Sequence, residues 1–289
     1  MNSPIPEDLR TAYDQCEKLA FSHYENFPVA SLLLPKESRP HVAALYAFAR
    51  TADDFADEEA FEGKRLPLLN LWEKQLKAAM KGKKAPLVLQ AFAHTLKTFQ
   101  IPLSLPLDLL RAFRMDTALH RYSSWHSLLY YCRHSANPVG RMVLFIHGFR
   151  EQKLHQYSDF ICSGLQLINF WQDTGMDLKR NRIYYPLQEL KKAGLTEKRL
   201  LVLKDSAQVR QLVKNAVEYT ENYYRRGLPL LDSVSGRLSL ELKATYLGGQ
   251  GILNKIKSMD YNVIHHRPAW TTGDKFFLIL RALFGRVHP

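Results

Sequence analysis

The sequence predicts an all-α protein, and two observations support that prediction. Three long stretches, residues 139–185, 187–228 and 230–267, contain no proline and are rich in helix-forming residues, which is typical of helices. Strand signals are poor, because no run of alternating apolar and polar residues is joined to an Asn-Gly or Asp-Gly turn. We therefore expect about a dozen helices and no sheet.

Four of these helices can be placed in chain order. The first begins near Pro40, because proline suits the first turn of a helix, and it ends near residue 59. The others are expected at residues 152–177, 208–226 and 238–257, each a periodic stretch without proline. The sequence MKGKKAP at residues 80–86 is interpreted as a basic, solvated loop between two helices.

Length and composition are those of an ordinary globular chain. The 289 residues are 46% hydrophobic and 24% charged, which argues against disorder. The apolar runs are far shorter than the ~20 residues that a membrane-spanning helix needs. The N-terminus lacks the basic stretch and apolar block of a secretory signal. We expect one helical domain, residues 1–289, with its core at residues 20–268, in the cytoplasm.

Charge and cysteine content narrow the function classes only in part. The net charge of +12 favours an anionic partner: nucleic acid, an anionic membrane surface or a phosphorylated substrate. Three widely spaced cysteines predict neither a disulfide framework nor a Cys-x-x-Cys metal site, which fits a reducing compartment. No Walker loop is present, and the glycine cluster at residues 248–251 does not follow a strand.

The first segment that points to chemistry is LYAFARTADDFADE at residues 45–58. At 100° per residue, Tyr46, Arg50, Asp53 and Asp57 share one helix face, and Asp54 lies beside them. The rest of the segment is mostly apolar and should be buried. A second segment, residues 164–185, repeats the arrangement on another predicted helix with four polar residues on one face: Gln166, Asn169, Asp173 and Asp177.

Two aspartates one helical turn apart repel each other, by only ~0.2–0.5 kcal/mol on an exposed surface but by more beside apolar surface. A hard divalent cation removes that repulsion on both helices. Mg²⁺ takes oxygen ligands and usually keeps water and substrate phosphate in its shell. Two opposed Asp faces would therefore hold Mg²⁺ ions and one diphosphate. The alternative is a solvent-facing acidic patch that happens to occur twice.

Both segments resemble motifs of the squalene/phytoene synthase family. The first matches Tyr-x-x-x-Arg-x-x-Asp-Asp-x-x-Asp, and the second matches Gln-x-x-Asn-x-x-x-Asp-x-x-x-Asp followed by Arg-x-Tyr at Arg182 and Tyr184. Outside the two motifs, the resemblance extends to His23, Tyr131, Tyr246 and Arg267. It implies an all-α isoprenoid-synthase bundle around a deep central cavity, and Mg²⁺-assisted loss of diphosphate from a prenyl substrate.

The resemblance also implies a role for each matching residue. The Mg²⁺ ligands would be Asp53, Asp57, Asn169, Asp173 and Asp177. Arg50 and Arg267 would bind diphosphate oxygens by charge-assisted hydrogen bonds. The other candidates at the diphosphate end of the cavity are His23, Tyr46, Tyr131, Gln166, Arg182 and Tyr246. Any single tyrosine among them could equally be a core aromatic with a satisfied hydroxyl.

Within the family, HYENFPVAS, CRHSANPVGR and NFWQD look like the hopanoid-pathway hydroxysqualene synthases, the HpnC type. Those enzymes take presqualene diphosphate, made by a sister enzyme, and quench its rearranged cation with water. Gln172 stands where the wider family usually has arginine, so one cation near the diphosphate is missing. Ser135, Asn137 and Gln172 are polar candidates for placing the water.

Several alternatives remain open. The chain could be a presqualene diphosphate, squalene or phytoene synthase that condenses two prenyl diphosphates, or a non-catalytic family member, although both Asp faces are intact. A nucleic-acid-binding protein would not need paired carboxylates, so we expect no nucleic-acid partner. The basic, apolar segment at residues 271–289 could lie on anionic lipid as a peripheral contact on the inner face of the membrane, or pack on the domain.

Overall fold

The computed structural model of the chain describes residues 5–22, 34–202 and 204–270. Within these residues it forms helices and no strand, which confirms the all-α prediction. Two short 3₁₀ helices lie at Glu7–Leu9 and Glu59–Phe61. The α-helices of the described residues are α1 Arg10–Ser22, α2 Arg39–Asp57, α3 Arg65–Met80, α4 Leu87–Thr98, α5 Ser104–Asp116, α6 Trp125–Ser135, α7 Asn137–Ile146, α8 Gln152–Gln172, α9 Thr174–Lys179, α10 Leu187–Lys192, α11 Glu197–Leu201, α12 Ala207–Arg225, α13 Pro229–Ser233 and α14 Gly236–Ser258.

The predicted helices at residues 40–59, 208–226 and 238–257 are confirmed as α2, α12 and α14, and the basic loop lies between α3 and α4. Local sequence explains several helix starts. Pro40 lies in the first turn of α2, and Ser206 caps α12 by accepting a hydrogen bond from the Val209 amide. Ser124 and Ser127 form a reciprocal capping box at the start of α6.

The helix predicted at residues 152–177 is interrupted at Asp173, so that part of the prediction is wrong. The structure ends α8 at Gln172 and begins α9 at Thr174. The Thr174 hydroxyl bonds back to the Phe170 and Trp171 carbonyls, an arrangement that bends helices. The bonds from the Asp173 amide to the Asn169 carbonyl and from the Asp177 amide to the Asp173 carbonyl nevertheless persist. Asp173 and Asp177 therefore remain one turn apart.

The described residues fall into two compact units, and the prediction of one domain stays a prediction. The first unit comprises Met1–Ala118 and Asn137–His155. In it, α1 and α4 pack on α2, which also contacts α3, α5 and α7. Its core centres on the fully buried Phe48, whose ring stacks on Phe92 at 4.3 Å and lies parallel to Trp72 at 6.2 Å. Stacked aromatic rings of this kind anchor α2 by burying a large apolar area.

The second unit comprises Leu119–Ala136 and Gln156–Pro289. Its centre is Trp171, which is fully buried, stacks on Tyr185 and donates a 2.8 Å hydrogen bond to Thr220 on α12. One turn further along the same face of α12, Tyr224 stacks on Tyr246 of α14 at 4.4 Å. These contacts hold α8, α12 and α14 together. Among the helices that the structure describes, none is long and apolar enough to cross a membrane.

Candidate functional site

The first Asp face lies on the last three turns of α2. Asp53 and Asp57 are partly exposed there, while Ala52 and Ala56 on the adjoining side of the helix are buried. This division follows from the sequence, because alanines alternate with acidic residues at helical spacing. The predicted face of Tyr46, Arg50, Asp53 and Asp57 therefore forms on one regular helix.

Arg50 neutralises this face from within the same helix. Its guanidinium lies 2.7 Å from Asp54, 3.6 Å from Asp53 and 3.9 Å from Glu58. The Asp53 side chain is 49% exposed and that of Asp54 is 25% exposed, so Asp54 is the carboxylate that depends more on the arginine. The sequence analysis predicted the repulsion between the carboxylates but not its compensation by Arg50.

Tyr46 lies two turns before Asp53 on the same helix. Burial raises the pKa of Tyr46, Arg50 opposes that rise, and the carboxylates of Asp53 and Asp54 add to it. The phenol is therefore protonated at neutral pH and available as a hydrogen-bond donor. A neutral donor beside carboxylates suits the predicted role at an anionic group.

The second Asp face lies at the junction of α8 and α9. Asn169 is exposed on the last turn of α8, Asp173 is the residue between the helices, and Asp177 lies in α9. The Arg267 Nε donates to Asp173 Oδ1 at 2.5 Å, and the two side chains are 49% and 31% exposed. The structure thus brings the C-terminal arginine of the family motif to the second Asp face, as the resemblance implied.

Gln172 has a role that the sequence did not indicate. Its side chain is 9% exposed, and Nε2 donates a 2.6 Å hydrogen bond to the Pro268 carbonyl. This bond uses one of the two N–H donors of the amide, and the prediction that the amide places a water molecule stays a prediction. Ser135 and Asn137 are the other two candidates for placing the water. Ser135 has a buried hydroxyl without a hydrogen-bond partner among the described residues, whereas Asn137 has an interaction partner.

A group of aromatic rings comes from chain segments on both sides of the second Asp face in the sequence. Phe170 stacks on Tyr184 at 3.7 Å, and Tyr131 lies 6.1 Å from Phe170 and 5.7 Å from Tyr122. Tyr131 and Phe170 are buried, at 5% and 6% exposure. Ring faces attract cations through their quadrupole, so this group places negative electrostatic potential close to Asp173.

The loop after α9 is tied to this region by main-chain bonds. The Arg182 amide donates to the Asp177 carbonyl, and the Ile183 amide donates to the His120 carbonyl. Arg121 binds both the carbonyl and the side-chain oxygen of Asn181. These bonds hold the Arg-x-Tyr part of the motif next to the second Asp face, and the predicted role of Arg182 stays a prediction.

The remaining predicted residues differ in their surroundings. Gln166 lies half-buried on α8, and Tyr246 is buried on α14 with its ring against Tyr224. The packing of Tyr246 matches the alternative interpretation of a core aromatic. His23 and the segment 271–289 lie outside the described residues, so their predicted roles stay predictions.

Glu241 is a residue that the sequence argument missed. It lies on α14, where burial raises the pKa of its carboxyl to about 7, and its Oε2 has no hydrogen-bond partner among the described residues. Its position between Leu240 and Leu242 is a weak signal in the sequence, since carboxylates are seldom buried without a partner.

The donor set fits Mg²⁺ better than a metal that is held by protein ligands alone. Among the described residues, no three His, Cys, Asp or Glu side chains come together to hold an ion. Each Asp face instead offers two partly exposed carboxylates one turn apart. Mg²⁺ commonly binds one or two carboxylates and completes its shell with water and substrate phosphates, so these faces fit it.

Comparison with known proteins decides which family carries this arrangement. A sequence model of squalene/phytoene synthases matches residues 22–274, nearly the whole chain. The chain belongs to the squalene/phytoene synthase family. It is an enzyme of that family, and the predicted fold and the predicted family are both confirmed.

The chain is similar to two hydroxysqualene synthases. It shares 34% identity over 267 residues with that of Zymomonas mobilis, covering 90% of this chain and 89% of that protein. It shares 36% identity over 239 residues with that of Rhodopseudomonas palustris, covering 82% and 80%. The crystal structure of squalene synthase HpnC from Alicyclobacillus acidocaldarius has a TM-score of 0.85 and 37% identity, and the match covers 89% of this chain and 97% of that one.

Proposed function

We propose that this chain converts presqualene diphosphate to hydroxysqualene in squalene and hopanoid biosynthesis. The observation that carries the proposal is the similarity to hydroxysqualene synthases, 34% and 36% identity across most of the chain. The reaction requires loss of diphosphate, rearrangement of the resulting cation and capture by water. The organic product keeps the oxygen of that water, and the water loses one proton to solvent.

In this proposal, Asp53, Asp57, Asp173 and Asp177 bind Mg²⁺, with Asn169 as a further oxygen ligand. The metal supplies neutralisation of the leaving diphosphate. Arg50 and Arg267, which pair with the aspartates in the structure, are placed to donate hydrogen bonds to diphosphate oxygens as well. Their guanidinium groups offer several donors each, so one arginine can bind a carboxylate and a phosphate together.

The aromatic group of Tyr131, Phe170 and Tyr184 has the chemistry to stabilise the cation that remains after diphosphate leaves. The faces of these rings are attractive to positive charge, and Phe170, which contacts the other two rings, lies on the last turn of α8, three residues before Asp173. Ser135 is the best-supported candidate for placing the water, because its buried hydroxyl has an unused hydrogen-bonding capacity among the described residues.

The test is a product assay with presqualene diphosphate, Mg²⁺ and ¹⁸O-labelled water in the absence of NADPH. The proposal expects labelled hydroxysqualene, and it expects EDTA to abolish turnover. Farnesyl diphosphate alone, supplied in a parallel reaction, should not be condensed efficiently. Absence of labelled alcohol, or efficient condensation of farnesyl diphosphate, would refute the proposal.

Squalene formation is the second candidate, favoured by the similarity to the squalene synthase HpnC of Alicyclobacillus acidocaldarius. That product requires a reductant, because the cation must accept a hydride. Adding NADPH to the same reaction distinguishes the two activities: a hydroxysqualene synthase keeps its product, whereas a squalene synthase forms squalene only when NADPH is present.

The proposed substrate also implies a supplier and a location. A separate enzyme must condense two prenyl diphosphates to make presqualene diphosphate, so a sister enzyme is an expected partner. We propose that the protein is cytoplasmic and contacts the inner face of the membrane peripherally, because both substrate and product are long hydrocarbons. Sedimentation with anionic vesicles tests this, and failure to bind them at low salt would count against it.

A further inference from the structure

The segment that follows α14, residues 261–270, contacts the second Asp face at several points; we call it the strap. Its Arg267 binds Asp173, and the next residue, Pro268, accepts the hydrogen bond from Gln172. Pro268 is buried, whereas its neighbours His266, Arg267 and Ala269 are exposed. The Pro268 carbonyl is thus an anchor in the exposed part of the strap, residues 265–269, which follows the buried Val263 and Ile264.

The strap packs against two glycines, one before Pro268 and one after it along the strap. A Cβ atom on Gly175 of α9 would lie 2.2 Å from the Ile264 carbonyl oxygen, and one on Gly251 of α14 would lie 2.2 Å from the Trp270 ring. Heavy atoms do not approach so closely without displacement. The strap therefore lies directly on α9 and α14 at positions where only glycine leaves room.

The order of these contacts assigns a function to Gln172. Arg267 is exposed and is the residue immediately before Pro268, so the position of its backbone follows from the Gln172–Pro268 bond. One of the two N–H donors of Gln172 is engaged in this bond, which ties the side chain to the strap. We propose that Gln172 is a positioning residue, which fixes the strap and thereby holds Arg267 beside Asp173.

The consequence for activity rests on the proposed function. If Arg267 contributes to diphosphate binding, loosening the strap weakens substrate binding and raises KM, because the guanidinium must be ordered each time that substrate binds. If Gln172 acts only through the strap, product identity should not change, because the substitution leaves the placement of the water as it was. A water-placing role predicts the opposite pattern: a changed share of alcohol and a nearly constant KM.

The first experiment measures hydrogen exchange in the strap and does not depend on enzyme activity. Hydrogen exchange of peptides that cover residues 259–270 is compared in the wild type, Gln172→Met and the control Gln156→Met. Methionine has nearly the shape of glutamine but has no donor, and Gln156 is an exposed glutamine on the same helix α8. We expect exchange in the strap to increase by roughly tenfold in Gln172→Met and to stay unchanged in the control.

A second variant disturbs the strap at a different contact, that between Gly175 and Ile264. Gly175→Ala leaves Gln172 intact and places a methyl group against the Ile264 carbonyl, so it should also raise exchange in residues 259–270. Exchange in α12 serves as the internal standard for folding. Unchanged strap exchange in Gln172→Met, with α12 protected as in the wild type, would overturn the proposal.

The kinetic experiment uses a double-mutant cycle with Arg267→Met. We expect Gln172→Met to raise KM for presqualene diphosphate several-fold, to keep the alcohol share, and to add little in the Arg267→Met background. Independent effects of the two substitutions, or a changed alcohol share, would overturn the positioning role. If the wild type forms no alcohol, the proposed function fails, while the exchange result still decides whether Gln172 holds the strap.

Discussion

Arginines beside the aspartates are the main residue-level feature of both Asp faces. Arg50 pairs with Asp53 and Asp54, and Arg267 pairs with Asp173. The repulsion inferred from the spacing would, by itself, make removal of one aspartate slightly stabilising in the metal-free protein. The structure opposes this expectation, because Asp53 already has Arg50 beside it and Asp173 already has Arg267 beside it.

We therefore predict that Asp173→Asn nearly abolishes turnover without stabilising the fold. The substitution removes a proposed Mg²⁺ ligand, so kcat/KM should fall by at least ~10²-fold. The lost pair with Arg267 is partly exposed, and its contribution to the free energy of unfolding should stay below ~1 kcal/mol. Activity with saturating Mg²⁺ and urea unfolding measure the two effects. Asp232→Asn, an exposed site on α13, is the control and should match the wild type in both.

His41 is a buried titratable residue in the first unit. It lies in the first turn of α2, and the first Asp face lies in the last turns of the same helix. The Tyr13 hydroxyl lies 3.1 Å from His41, 2.8 Å from His94 and 2.9 Å from the Thr95 hydroxyl. His41 is 2% exposed, and burial, with a smaller contribution from His94, lowers the pKa of His41 to about 4. This cluster joins α1, α2 and α4 through neutral imidazoles.

Acid should therefore weaken the first unit through His41. As the pH falls from about 6.5 to 4, the unfolded chain takes up a proton on this histidine that the folded chain does not. The free energy of unfolding should drop by up to ~3 kcal/mol over that interval. Urea titrations at pH 7 and 4.5 should show a smaller drop in His41→Gln than in the wild type. Equal drops would show that His41 is not responsible.

At the level of helices, Gly164 decides how closely α8 approaches α12. A Cβ at this position would lie 2.3 Å from the ring of Tyr224, which is fully buried and stacks on Tyr246. The ring cannot yield without disturbing α14 as well. Gly248 on α14 is the natural contrast, since no atom lies within 4 Å of the corresponding Cβ position.

We predict that Gly164→Ala lowers the free energy of unfolding by ~1–3 kcal/mol through overpacking. Gly248→Ala should instead raise it by ~0.5–1 kcal/mol, because alanine loses less conformational freedom in a helix. Chemical denaturation of both variants measures the difference in sign. A stabilising Gly164→Ala would mean that α8 and α12 do not pack as closely as the structure indicates.

At the level of the whole molecule, the cysteines report on folding. Cys16 in the first unit and Cys132 in the second are fully buried, and Cys162 is half-buried. Burial raises the pKa of Cys16 to about 12 and raises that of Cys132 as well. Because the thiolate is the reactive form, both thiols should be inert in the native protein.

We predict that Ellman's reagent modifies at most one thiol, Cys162, in the native protein and all three in denaturant. Cys162→Ser should then leave no rapidly reacting thiol. Fast reaction at Cys16 or Cys132 in that variant would contradict the burial of the corresponding unit. The same assay during urea titration follows the opening of each unit separately.

Much of the fold class and of each Asp face could be predicted because both depend on local sequence. A helix places residues three and four apart on one face whatever surrounds it, so Tyr46, Arg50, Asp53 and Asp57 could be grouped from their spacing. The interruption at Asp173 was missed, although Thr174 and Gly175 directly after it are local signals for a bend.

What the sequence could not provide are the contacts between segments far apart in the chain. Gln172 and Pro268 are 96 residues apart, Asp173 and Arg267 are 94 apart, and Tyr13 and His94 are 81 apart. Such pairs form because helix packing brings the segments together, and no periodicity within either segment encodes the partner. The sequence alone therefore determined the helices, the carboxylate faces and the family, whereas tertiary packing decided that Gln172 binds the strap and that Arg267 lies beside Asp173.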